Sequence, residues 1–108
     1  MAQSAELLKG TLDLLILKTL DLEPRHGISI AERIAQITHG TFNVKPGSLF
    51  PALHRLEVSG FIAGDWGVNA EGRRVKAYRL TATGRRKLTA ERKHWSRIVL
   101  AMGQVLES

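Results

Sequence analysis

Lys45-Pro46-Gly47-Ser48-Leu49-Phe50-Pro51-Ala52-Leu53-His54-Arg55-Leu56-Glu57-Val58-Ser59-Gly60 is the stretch on which the fold turns. Leu49, Leu53 and Leu56 recur at helical spacing, with Phe50 at the margin of that face. The helix ends before Gly60. Started near Gly47 or Ser48, it holds Pro51 in its first turn, where proline is tolerated. Its opposite face carries Ser48, Pro51, His54, Arg55 and Val58, short and polar toward its start. Ser48 there is either an N-cap or a phosphate ligand beside the helix N-terminus.

Downstream, Phe61 to Gly67 and Arg74 to Leu80 read as two strands. The loop Val68-Asn69-Ala70-Glu71-Gly72 joins them, and Trp66 is expected to pack under the hairpin. Upstream, a helix begins near Ile28, with Ser29 and Glu32 spaced as a capping box. Ile30, Ile34 and Ile37 form its apolar stripe, and Gly40 follows its end. Thr41 to Val44 read as a short extended piece. An earlier helix spans Lys9 to Leu22, with Leu12, Leu15, Ile16, Thr19 and Leu20 on one face and Leu14 and Leu17 on the other. A helix that is apolar all round needs two surfaces to bury against, and the second face points to a partner chain. Thr81 or Thr83 caps a last helix in which Leu88, Trp95, Ile98, Met102 and Val105 follow a seven-residue pattern broken at Glu91. Val99 and Leu106 widen that stripe.

The fold class is therefore mostly α with a small β-hairpin. Two helices with a short connection make a helix-turn-helix, and a hairpin after the second of them makes a winged helix. In such a unit the second of the pair enters a major groove, and only its outward side chains reach base edges. Lys45, Ser48, Pro51, His54 and Arg55 are the DNA-binding candidates there, with Arg55 favoured over His54 and for phosphate over base. Arg73, Arg74 and Lys76 on the hairpin are candidates for phosphate contact.

Charge agrees with that chemistry. The 108 residues hold 16 Lys and Arg against 10 Asp and Glu, a net +6. Gly72 to Lys93 holds nine basic residues against Glu91 alone. A basic patch in a small domain points to a polyanionic partner. Arg85, Arg86 and Lys87 open the last helix against its dipole, so a solvated face is the first reading there and a nearby anion the second. The length suits one domain. Without cysteine, disulfides and thiolate catalysis are excluded. The longest apolar run, Leu12 to Leu22, is interrupted by Asp13, Lys18 and Asp21 and is too short for a bilayer. No secretory pattern opens the chain, so the cytoplasm is the expected compartment and no membrane partner is expected. His26, His39, His54 and His94 are scattered without metal spacing, and no Gly-rich phosphate loop or nucleophile elbow occurs. No metal, cofactor or enzymatic activity is expected. The alternative class is a winged-helix protein-interaction module without DNA binding, against which the basic wing argues.

A resemblance sharpens this. Gly10-Thr11-Leu12-Asp13-Leu14-Leu15-Ile16-Leu17, His26-Gly27, Gly47 through Glu57, Gly60-Phe61-Ile62, Tyr78-Arg79-Leu80-Thr81 and Gly84-Arg85 jointly resemble PadR-type transcriptional regulators, in the short subfamily with one C-terminal helix. Relatives commonly carry Tyr at the place of Phe50. The resemblance implies a winged-helix DNA-binding domain over 1–80 and a C-terminal dimerisation helix over 81–108, forming one compact unit. It further implies a homodimeric repressor on a pseudo-palindromic operator in double-stranded DNA. The dimer residues are expected to be Leu14, Leu17, Leu88, Trp95, Ile98, Val99, Met102, Val105 and Leu106. A small aromatic or apolar effector is expected between subunits at Leu14, Leu17, Trp95, Ile98 and Met102, because so small a domain leaves little volume for a private pocket. The plainer role of Trp95 is packing in the dimer core.

Overall fold

In the computed structural model, residues 9–108 are described. Residues 1–8 of the expected winged-helix unit lie outside the described residues. Helix α1 (Lys9–Leu22) is the centre of the molecule. It is followed by β1 (Arg25–His26), α2 (Gly27–Ile37), α3 (Pro46–Val58), β2 (Ile62–Val68), β3 (Arg74–Leu80) and α4 (Ala82–Leu106).

The all-round apolar character of α1 has an internal cause. The helix touches α2, α3, α4 and β3, and Leu12, Ile16, Leu17 and Leu20 are all in the core. Leu17, expected to face a partner chain, is 1% exposed. Leu14 is half-buried against the same core. The second face of α1 is thus buried within the chain itself, which corrects the expectation for Leu17. Thr19, the polar residue of this interior, satisfies its hydroxyl by donating to the Leu15 carbonyl at 2.8 Å.

Helix α2 starts one residue earlier than its sequence signal. His26 is the N-cap, and no side-chain cap hydrogen bond forms. Ser29 does not cap; its hydroxyl accepts from Arg25 at 2.9 Å, so the expected capping box with Glu32 is absent. Ile30 and Ile34 are buried as expected, whereas Ile37 is exposed. The chain then turns through His39 (φ 51°) and Gly40 (φ 82°). Thr41 to Val44 is not a strand. Thr38 Oγ1 donates to the Ile34 carbonyl and accepts from the Phe42 amide, and Phe42 and Val44 pack on the core.

The third strand of the sheet comes from elsewhere. The order is β1-β3-β2, antiparallel throughout, with Arg25 opposite Tyr78 and Trp66 opposite Lys76. Two residues are too few to show a period, so β1 had no sequence signal.

Helix α4 belongs to the core only at its start. Thr81 caps it by accepting from the Gly84 amide at 3.0 Å. Leu88, expected at a partner surface, is 3% exposed inside the core, a second correction. Beyond Glu91 no residue of α4 is buried, and the helix projects to give a long axis of 56 Å. No helix among the described residues is long and apolar enough to cross a membrane.

Candidate nucleic-acid interface

The geometry of α3 follows from its buried face. Leu49, Ala52, Leu53 and Leu56 are in the core, so Ser48, Pro51 and His54 stand on the solvent side, and all three are exposed. Lys45, also exposed, is the N-cap, and Pro46 takes the N1 position. Ser48 is therefore not an N-cap; its amide already donates to the Lys45 carbonyl at 3.0 Å. Pro51 lies beyond the first turn, so the hydrogen bond that position normally makes to the Gly47 carbonyl cannot form.

Arg55 is placed differently from its neighbours. Its Nη2 donates to Asp13 Oδ1 of α1 at 2.8 Å, and both side chains are half-buried. Part of this guanidinium is thus engaged within the fold.

The hairpin β2–β3 forms the wing. Asn69 organises its tip: the side-chain oxygen accepts from the Glu71 and Arg73 amides at 3.0 and 2.9 Å. Gly72 supplies the left-handed residue, φ 78°, that closes the loop. Arg73 and Arg74 are exposed there. Arg74 lies 4.8 Å over the Trp66 ring, a cation–π contact that orders a long side chain. Trp66 does not pack under the wing as expected. It is 60% exposed on the wing face that turns back toward α2 and α3. The reason is the register: the same alternation that buries Ile62 brings Trp66 to that face farther out, past the reach of the core.

Lys76 is expected on phosphate, yet its ammonium donates to Glu57 of α3 at 2.8 Å. That hydrogen bond is the main cause of a pKa above the ordinary lysine value; desolvation opposes it, and the charges of Tyr78 and Glu57 add to it. Lys76 thus ties the wing to α3. Arg79 bridges to Asp65 within the wing at 3.4 Å. Arg85, on α4, bridges to Asp21 of α1 at 3.3 Å, which accounts for a cation at a helix start. Of the candidate DNA-binding cations, Lys45, Arg73 and Arg74 have no carboxylate partner among the described residues. Uncompensated cations on the start of α3 and on the wing make a surface suited to phosphates.

Trp95, Val99, Met102, Val105 and Leu106 are exposed along the projecting part of α4, and Ile98 is half-buried. No group of three or more His, Cys, Asp or Glu that could hold a metal occurs among the described residues. The exposed aromatic platform at Trp66 was missed from sequence. Its signal was period-two alternation, which puts Trp66 and Val68 on one face with Lys76 and Arg74.

Residues 16–90 match the transcriptional regulator PadR-like family. The chain is 38% identical over 68 residues to the transcriptional regulator Rv3488 of Mycobacterium tuberculosis, covering 63% of this chain and 60% of that protein. A PadR family transcriptional regulator from Eggerthella lenta is 31% identical and superposes with a TM-score of 0.79, covering 93% of this chain and 85% of that one. A PadR-like transcriptional regulator from Bacillus cereus is 25% identical, with a TM-score of 0.81 and coverage of 96% and 99%.

Proposed function

Because the chain belongs to the PadR-like family of transcriptional regulators, we propose that it is a cytoplasmic, homodimeric, non-enzymatic repressor of a pseudo-palindromic operator, released by a small aromatic or apolar effector. The observation that carries this reading is the projecting half of α4. Trp95, Val99, Met102, Val105 and Leu106 line it and stay exposed after the chain's own core is complete. Burying one such side chain contributes roughly 1.5–3 kcal/mol, so pairing two copies of this helix removes a run of apolar side chains from water.

A two-fold dimer through α4 presents two copies of α3 and the wing to one duplex. Half-sites about one helical turn apart then mirror the protein symmetry. In this reading Lys45, Ser48, Pro51 and His54 face the groove, Arg73 and Arg74 hold phosphates, and Arg55 and Lys76 brace α3 while keeping their charge near the backbone. The effector lies at the subunit junction beside Trp95, Ile98, Met102 and the half-buried Leu14. Leu17 has no part in it. Such a ligand alters DNA affinity only by favouring one inter-subunit arrangement over another.

Sedimentation of the wild type and of Val99→Glu/Val105→Glu, with selection of bound duplexes from a random pool, tests the reading. The expected result is a dimer that selects an inverted repeat, and a folded monomeric variant that does not. A monomeric wild type at micromolar concentration, or selection of single half-sites, contradicts it.

A further inference from the structure

The inner face of the wing and the first turns of α2 and α3 border an open, shallow cleft of about 480 Å³ within a single chain. Ile28, Phe50 and Trp66 line it while 49%, 44% and 60% exposed. Three large apolar side chains open to water in one recess are unusual for a small domain, and two of them are aromatic rings. Gly27 lies on its floor: a Cβ there would stand 3.0 Å from the Phe50 ring, so a larger residue would push that ring outward by a few tenths of an ångström.

The charge of the cleft follows from its pairings. Lys76 lines it, but Glu57 neutralises that ammonium at 2.8 Å. Arg74 lines it with the Trp66 ring as its contact and, among the described residues, no carboxylate within bridging distance. The first turn of α2 opens on the same space, and its N-cap His26 makes no side-chain cap hydrogen bond. The recess therefore combines flat apolar walls with one uncompensated cation, held in place by a ring.

We infer that this cleft is a binding site for a planar aromatic molecule carrying one negative charge. Its rings lie between Trp66 and Phe50, and its anionic group pairs with Arg74. The volume is in the range of small-molecule sites, roughly 300–1,000 Å³. DNA suits the recess less well. A duplex strand keeps its bases stacked, so it offers Arg74 a phosphate and leaves Trp66 and Phe50 wet. The site is built by one chain and goes beyond the effector position proposed at the subunit junction. Ligand and phosphate draw on the same guanidinium, so occupancy weakens duplex binding.

The chain has two tryptophans, Trp66 and Trp95, which makes the test selective. In ¹⁵N–¹H spectra of the full chain, Trp95→Phe assigns the indole signal of Trp66. Titration with 2-naphthoate is expected to move that signal saturably. The neutral isostere 2-naphthamide, or the variant Arg74→Gln, is expected to bind about tenfold more weakly, the loss of one charge-assisted hydrogen bond. Phe50→Ala is expected to weaken naphthoate binding while the spectrum stays dispersed. Saturating naphthoate is expected to weaken binding of a short random-sequence duplex several-fold. Four results overturn the inference: a Trp66 signal still at millimolar naphthoate, equal binding of acid and amide, a response at Trp95 alone, or duplex affinity indifferent to naphthoate. A Trp66 signal moved by duplex and not by naphthoate makes the cleft part of the DNA surface, and leaves the repressor reading standing.

Discussion

Arg55 of α3 donates to Asp13 of α1 across 2.8 Å, joining the exposed helix of the winged unit to the helix at the centre of the core. The two residues are 42 positions apart, and the pair is half-buried. An ion pair that open to solvent stabilises little, about 0.2–1 kcal/mol. What it does set is direction, because it turns part of the Arg55 guanidinium toward α1 and away from the open face of α3.

A double-mutant cycle in urea with Asp13→Asn and Arg55→Met is expected to give a coupling free energy of about 0.5–1 kcal/mol. On DNA, Arg55→Ala is expected to reduce affinity without blurring preference at any base position, since a committed guanidinium does not read a base edge bidentately. A coupling of zero, or relaxed preference at one position, contradicts this placement.

The wing cations behave differently because no carboxylate competes for them. Arg73→Ala and Arg74→Ala are each expected to weaken binding to every duplex alike. Each is expected to lower the log–log salt slope by about 1, because one phosphate is no longer neutralised by the protein. Fluorescence anisotropy across a salt series reads this directly. A slope unchanged in the double variant removes the wing from the interface.

The Lys76–Glu57 bond gives a pH signature. The folded pKa of Lys76 is raised above 10.5 by that hydrogen bond. A raised lysine pKa contributes stability that is fully present below the unfolded value and is lost as pH climbs through the folded one. Wild type and Glu57→Gln are therefore expected to differ by a constant amount near neutrality, with the gap closing above about pH 10.5. Urea unfolding of both proteins from about pH 8 to about pH 11.5 checks it. A gap that stays constant across that range dissociates the pair from stability.

Gly84 marks where α4 meets the wing root. A Cβ there would run into the Phe61 carbonyl and stand 2.8 Å from Leu80 Cδ1. The Phe61 carbonyl also accepts from the Thr81 amide, so it cannot move freely. Gly84→Ala is expected to destabilise by about 2–3 kcal/mol. Gly103, on the same helix, has nothing within 4 Å, and Gly103→Ala is expected to stabilise by about 0.5–1 kcal/mol. Thermal unfolding of the two variants should shift in opposite directions; a shared direction would show that the Gly84 contact is not what limits substitution.

How much of this was legible in the sequence divides by range. The winged unit could be read because each helix and both long strands carry their own period, and because Gly40, Gly60 and Gly72 punctuate them. The exposed face of α3 was legible for the same reason: Leu49, Leu53 and Leu56 define an inside, and Ser48, Pro51 and His54 follow as the outside. Thr41 to Val44, read as a short extended piece, joins no sheet: Phe42 and Val44 alternate like a strand, while their contacts are the Thr38 hydroxyl and the core.

The sequence by itself determined the elements, their order, the basic wing and the apolar seam of α4, since these depend on local spacing and composition. Only the tertiary structure decided which apolar faces the chain buries for itself. Leu17 and Leu88 look like partner contacts until four elements close around α1. It also decided which cations stay free, leaving Arg73 and Arg74 open while Asp13 takes Arg55 and Glu57 takes Lys76. The physical reason is that burial and ion pairing depend on distances between residues far apart in the chain, and periodicity carries no record of them.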